Sequence, residues 1–301
     1  MAEFKNEKVA IPVVLFAGLL WSFGPLVVRH MDEPGLVPWQ YIFARGLTIF
    51  VVLNLYLYFE EGKNFYKNYF RVGISGLIGG CGLGVAMITF IYSITNTTAA
   101  ITLLCLAAMP FFTALLGFLL LKEKISVNVW IAIFIATIGI IIIAFGNTEK
   151  NSLIGLIFGM ISSIGFSVFS VSLRWRKETP KFTTVAIAGL FCVFVAAIFI
   201  MMTKSFFLST SHNGFLFSLH GTIVCMGLIL YSIGSKAIPA AELTLLSLTE
   251  VIGGIFWVWL PLFGINEIPS TNTIIGGFFL FMSIIYYSLT IKTNRRFIAL
   301  N

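Results

Sequence analysis

The sequence predicts an all-α membrane protein: ten transmembrane helices in two inverted five-helix repeats (5+5), with the N- and C-termini both cytoplasmic. Three observations carry that reading. Apolar residues make up 58% of the chain and charged residues only 10%, which no ordinary soluble domain matches. Apolar stretches of about 20 residues recur along the whole length, each long enough at 1.5 Å per residue to cross a hydrocarbon slab about 30 Å thick. One stretch also occurs twice: Thr97 to Ser126 (TTAAITLLCLAAMPFFTALLGFLLLKEKIS) returns, diverged, as Ala240 to Ser270 (AAELTLLSLTEVIGGIFWVWLPLFGINEIPS).

In each copy a pair of alanines opens the apolar run, a T-L-L core follows, and the run closes on a Glu with Ser three residues later, Glu123/Ser126 and Glu267/Ser270. The copies differ most sharply where Ala108 in the first stands opposite Glu250 in the second. The predicted spans cover 9–28, 38–59, 71–94, 98–121, 127–145, 152–174, 183–203, 214–234, 240–263 and 272–291. Connections are short, so no soluble domain is expected. The short charged head before Val9 precedes a long apolar run without a small-residue cleavage pattern, so it is read as the first span and not as a signal peptide.

Lys and Arg set the orientation. With the N-terminus inside, the cytoplasmic side holds Lys5, Lys8, Lys63, Lys67, Arg71, Lys122, Lys124, Arg174, Arg176, Lys177, Lys181, Lys236, Lys292, Arg295 and Arg296. The other side holds only Arg29, Lys150 and Lys204. The net charge of +7 is spread over these short loops with no dense basic patch, which argues against nucleic-acid binding.

Further matches extend the repeat. Pro38 and Pro180 each open the second span of their half, Tyr92-Ser93-Ile94 answers Tyr231-Ser232-Ile233, and Ala132 with Gly139 answers Gly276 with Ser283. The two units are 9–145 and 151–292. Five spans per unit is an odd number, so the second unit enters the membrane upside down, an architecture that allows alternating access to a central site. Gly76, Gly80 and Gly84, and Gly155, Gly159 and Ser163, place small residues every fourth position, as close helix packing requires. The fifth span is apolar all round and is read as a peripheral scaffold. Cys81, Cys105, Cys192 and Cys225 lie in apolar runs without metal-type spacing and are read as packing residues. Trp39, Trp130 and Trp175 lie at span ends, where an interfacial belt explains them.

No nucleophile elbow, phosphate loop, nucleotide motif or metal-type cluster points to an enzyme, and no cofactor is expected. What remains is a set of ionisable groups inside the slab. Glu250 lies about ten residues into its span, about 15 Å deep, and Arg45 and His220 lie roughly 10 Å deep. A charge at the centre of a spanning helix costs about 2.5–3.5 kcal/mol, so it needs a partner, a wet cavity or a function. Glu250 either binds a cationic part of a substrate, titrates as the coupling proton carrier, or pairs with a buried base. Arg45 either clamps a carboxylate or phosphate, pairs with Glu250, or snorkels outward. His220 is a packing histidine or a site residue. Trp21, Trp257 and Tyr92 lie deeper than the belt, and Gly24-Pro25 after Trp21 can loosen the first helix. Glu242 complements the start of its helix, and Glu123 and Glu267 are expected to cap the helices that follow them.

The motifs Gly18 to Pro25 (GLLWSFGP), Phe43 to Leu47 (FARGL), Tyr92-Ser93-Ile94 followed by Thr97 to Ala100 (TTAA), Pro110 and Leu119 to Ser126 (LLLKEKIS) resemble the ten-span EamA-type branch of the drug/metabolite transporter superfamily. In the second half Tyr231, Pro239, Ala240 and Glu267 fall where that pattern expects them. The resemblance implies a carrier for small metabolites in the inner membrane of a bacterium, often an exporter of amino acids or related compounds. It also implies a cavity lined by the first four helices of each half, which carries Trp21, Arg45 and Tyr92 toward that cavity. The chain departs from the pattern at Leu121-Lys122-Glu123 and at Glu250. The expected function is a proton-coupled exchanger or an exporter of an amino acid, related zwitterion or organic cation, with Trp21, Arg45, Tyr92, His220, Tyr231, Glu250 and Trp257 as substrate-binding residues. A passive channel and a non-transporting membrane scaffold stand as alternatives. The expected partners are the lipid bilayer, a small metabolite and protons, with the chain a monomer or homodimer.

Overall fold

A computed structural model of the protein describes residues 7–123, 125–146, 153–176, 178–207, 209–265, 268 and 270–298. Lys5, Lys124, Lys150, Lys177 and Glu267, used above for orientation and for the repeat, lie outside the described residues. Every regular element among the described residues is helical: α1 (Glu7–Trp21), α2 (Gly24–Arg29), α3 (Pro38–Glu61), α4 (Lys67–Arg71), α5 (Gly73–Asn96), α6 (Ala99–Leu106), α7 (Met109–Leu116), α8 (Val127–Gly146), α9 (Leu153–Trp175), α10 (Lys181–Met202), α11 (Ser211–Gly234), α12 (Ala240–Leu246), α13 (Thr249–Trp259) and α14 (Thr271–Ile298). Eight helical stretches, counting α1 with α2, α6 with α7 and α12 with α13 as one each, are long and apolar enough to cross a membrane. Two further apolar stretches, Val127–Ile142 and Ile274–Tyr287, are shorter.

Three of these stretches are broken near their middles. Proline lacks an N–H, and its ring clashes with the carbonyl four residues back. Pro25 therefore ends α1 at Trp21, and Pro110 ends α6 at Leu106. The break at Ser247-Leu248 between α12 and α13 has no proline. Counted from the breaks, Glu250 and Pro110 each stand second in the helix that follows.

Small residues set the helix contacts. The chief pairings are α5 with α9, α3 with α10, α8 with α14, and α1 with α11. A Cβ on Gly165 would lie 2.6 Å from the carbonyl oxygen of Gly82, and one on Gly46 would lie 2.9 Å from that of Gly189, so these backbones touch. Gly76, Gly80 and Gly84 receive Thr184, Ile187 and Phe191 of α10, and Gly155 and Gly159 receive Thr97 and Cys105.

The α3–α10 contact has its own internal order. Trp39 stacks on Phe199 at 4.1 Å, Gly46 meets Gly189, and Tyr56 packs edge-on against Phe182 at 5.3 Å. The offsets are equal: 182 minus 39, 189 minus 46 and 199 minus 56 all give 143. The α8–α14 contact behaves alike, with Ser283 Oγ donating to the Ala132 carbonyl at 2.8 Å and Gly139 against Gly276.

Two arginines tie the ends of the bundle. Arg29, closing α2, donates to the carbonyls of Ile94 and Thr97 at 3.3 Å each. Arg174, near the end of α9, donates to those of Ser235 and Ile238 at 3.2 and 2.8 Å. Contrary to the expectation from sequence, Glu123 does not cap α8: its Oε1 accepts from Arg174 Nε at 2.6 Å, and the hydroxyl of Ser126 takes the capping place, accepting from the Val129 amide at 3.4 Å. Ser126 stands directly before α8, whereas Glu123 lies beyond the turn and meets α9. Glu242, in the first turn of α12, accepts from the Tyr287 hydroxyl.

Candidate functional site

A cavity lies at the centre of the bundle, lined by side chains from both halves of the chain. It sits where the breaks occur. Trp21 reaches it from the end of α1, Leu106 and Met109 from the α6–α7 break, and Glu250 from the start of α13. Arg45 enters from α3 and His220 from α11, while Phe90 of α5 and Phe166 of α9 complete the wall. Short-range backbone bonds bridge the breaks, with the Ala108 amide donating to the Cys105 carbonyl at 3.1 Å and the Glu250 amide to that of Ser247 at 2.9 Å; many transport proteins place ligands at such discontinuous helices.

Each polar group at the cavity has a distinct setting. Trp21 is held in place: its indole N–H donates to the Val224 carbonyl at 3.2 Å, its ring meets Phe166 edge-on at 5.6 Å, and Gly227 leaves room that a Cβ would fill. His220 is fully buried; its Nδ1 bonds the hydroxyl of Tyr41, and its Nε2 abuts Gly24, where a Cβ would come within 2.8 Å. Tyr41 in turn stacks on Phe217 at 4.7 Å.

Arg45 and Glu250 are different. Arg45 is 5% exposed, and its Nε and Nη1 are buried with no hydrogen-bond partner; its guanidinium carbon stands 5.6 Å from the Phe90 ring centroid, an orienting cation–π contact. Glu250 is 9% exposed and complements the dipole at the start of α13. Among the described residues no ion pair joins the two. The structure thus brings four of the seven sequence-predicted site residues, Trp21, Arg45, His220 and Glu250, to one cavity.

The other three lie elsewhere. Tyr231 is fully buried one layer behind, donating or accepting at 2.6 Å with Ser170 Oγ and flanking Trp21 at 5.4 Å. Tyr92 is half-buried against Trp39 and Phe158. Trp257 stacks on Phe23 at 4.7 Å and donates to Ser22 Oγ at 2.8 Å, bracing the α1–α2 break. Phe90, Phe166 and Ser162 line the cavity but were not singled out from sequence. Helical phase gives the signal for one of them: residues two apart on a helix face nearly opposite ways, so Phe90 and Tyr92 cannot both look inward. Among the described residues no group of three or more His, Cys, Asp or Glu could hold a metal ion.

Residues 8–145 match the EamA-like transporter family. Two proteins from strains of Helicobacter pylori, each described as an uncharacterized transporter, are 27% and 26% identical over 207 residues, spanning 66% of this chain and 66% of theirs, so the match covers just under two thirds of those relatives. An uncharacterized transporter from Clostridium kluyveri is 25% identical over 237 residues, 73% of this chain and 74% of that one. A solved crystal structure superposes with a TM-score of 0.73 at 17% identity, covering 96% of this chain and 99% of the other, which establishes a shared fold. The first half of the chain thus carries the sequence pattern of the EamA-like transporter family, within a helical bundle broken around a central cavity.

Proposed function

We propose that the protein is a secondary transporter that moves a small polar metabolite across the cytoplasmic membrane by alternating access, with an amino acid, a related zwitterion or an organic cation as substrate. Its ten spans form two inverted repeats, 9–145 and 151–292, with both termini cytoplasmic. Arg45 takes the substrate's carboxylate and Glu250 its cationic group, while Trp21 and His220 shape the pocket; Tyr231 and Trp257 hold Trp21 and the α1–α2 break, and Tyr92 serves at the periphery. The single observation that carries this reading is the pair of buried, opposite and mutually unpaired charges in one cavity.

Helix packing supports the inverted repeat. Exchanging each helix for its counterpart turns the Trp39–Phe199 contact into Phe182–Tyr56 and leaves Gly46–Gly189 on itself. The same exchange turns the Ala132–Ser283 contact into Gly276–Gly139. Arg29 and Arg174 hold comparable places, each donating to carbonyls five and two residues before the fourth span of its half, those of Ile94 and Thr97 before Ala99 and those of Ser235 and Ile238 before Ala240. Two units related in this way can trade conformations, opening the cavity alternately to either side.

Counterflow in reconstituted vesicles tests the proposal: internal unlabelled amino acid or amine should drive transient uptake of the labelled compound without measurable conductance. Steady ohmic currents would identify a passive pore, and absence of both flux and ligand-induced thermal stabilisation would identify a scaffold. Glu250 is also the candidate proton carrier, and an imposed pH gradient should then drive uphill flux.

A further inference from the structure

Away from the central cavity, the end of the bundle where α3 finishes and α10 begins carries a second concavity, bordered by Glu61, Asn68, Lys181, Thr183 and Lys236. Two lysines border it. Lys181 is drawn into the wall, its Nζ donating to Ser235 Oγ at 2.8 Å, a neutral partner. Lys236 lies on the same rim, and Arg174, close behind, is matched by Glu123. The one carboxylate on the rim, Glu61, is exposed and accepts from Asn68 Nδ2 at 2.6 Å.

Two further features point to an anionic ligand. The concavity lies at the start of the 22-residue α10, which has no acidic side chain in its first turn, so its amides and dipole face the opening uncompensated. Thr183 in that turn is fully buried and lines the concavity, and its hydroxyl has no partner, a donor left unused at a cost of about 1–3 kcal/mol. The surroundings are apolar: Phe59 and Phe70 are 82% and 85% exposed at this end, and Tyr66 is 52% exposed. Exposed aromatics beside a cationic concavity fit the headgroup level of a bilayer, where acyl chains cover the rings.

We propose that this concavity is a binding site for the phosphate of an anionic phospholipid headgroup. Lys181 and Lys236 supply the charge, the first turn of α10 and the Thr183 hydroxyl supply hydrogen bonds, and Phe59 and Phe70 contact the chains. The site stands apart from the central cavity and does not depend on what is transported.

Native mass spectrometry of the purified full-length protein tests this with phosphatidylglycerol and phosphatidylcholine, alongside thermal shift with inorganic phosphate. The wild type should retain phosphatidylglycerol through detergent removal and phosphatidylcholine at least ten-fold less. Lys181→Gln combined with Lys236→Gln should cut phosphatidylglycerol retention at least ten-fold, whereas Lys181→Arg with Lys236→Arg, which separates charge from folding, should keep it, as should Lys63→Gln. Equal retention of the two lipids, or undiminished phosphatidylglycerol in the double Gln variant, overturns the proposal. Stabilisation by inorganic phosphate without lipid retention also overturns it, in favour of a soluble anion.

Discussion

Arg45 and Glu250 face one cavity from opposite halves of the chain, both buried, with no hydrogen bond or ion pair between them. In an apolar slab each bears a penalty of a few kcal/mol, and a direct ion pair would relieve part of it. The bundle instead holds them apart, with Arg45 against Phe90 and Glu250 at the head of α13. Under the proposed function, charges kept separate in this way await a ligand that brings the two missing partners.

Trp21 fixes the cavity's width. Its indole fills the space over Gly227, so Gly227→Val should push the ring into the cavity, and a Cβ there would already sit 2.2 Å from Nε1. Transport should fall at least ten-fold, and the melting temperature should fall as well, because the displaced indole loses its bond to the Val224 carbonyl. Wild-type flux in that variant would show that Trp21 does not border the substrate path.

The Gly46–Gly189 contact should be intolerant of bulk. Gly46→Leu overpacks α3 against Cys192 and Gly189 and should destabilise by about 1–3 kcal/mol, read as a lower melting temperature in detergent. Gly214→Leu, where nothing lies within 4 Å, is the control and should melt like the parent.

Tyr41→Phe removes the hydroxyl that satisfies His220 Nδ1. A buried ring nitrogen left without a partner costs about 1–3 kcal/mol, so thermal unfolding should occur earlier. His220→Phe together with Tyr41→Phe removes both polar groups and should recover most of that loss. An additive double variant would mean that the two side chains do not interact.

The arginine tethers make matched predictions at opposite ends. Arg174→Gln releases the carbonyls of Ser235 and Ile238 and should speed amide hydrogen exchange over residues 235–243, leaving 94–101 unchanged. Arg29→Gln should do the reverse. Equal acceleration at both ends in either variant would argue against local tethering.

Much of this architecture was legible in the chain. Prolines 25 and 110 mark the breaks in their helices because a missing N–H acts locally, and Arg45, His220 and Glu250 stand out because charge is rare in apolar runs. The break before Glu250 was not legible: no proline announces it, and only counting from the structure puts Glu250 second in its helix, as Pro110 is in α7. Neither was the partnership of Trp39 with Phe199, or of Glu123 with Arg174, since these depend on which helices lie side by side across about 50 to 160 residues of chain. Tyr92 and Trp257 look alike in sequence to Trp21, and only helix rotation decides that Trp21 borders the cavity while they do not.

The central claim is that Arg45 and Glu250 together recognise the substrate. Reconstituted vesicles containing Glu250→Gln or Arg45→Gln, each melting within a few degrees of the parent, should lose at least ten-fold of counterflow for zwitterionic substrates. The Glu250 variant should be impaired more for amines, and the Arg45 variant more for carboxylates. Undiminished counterflow in both variants would contradict the account.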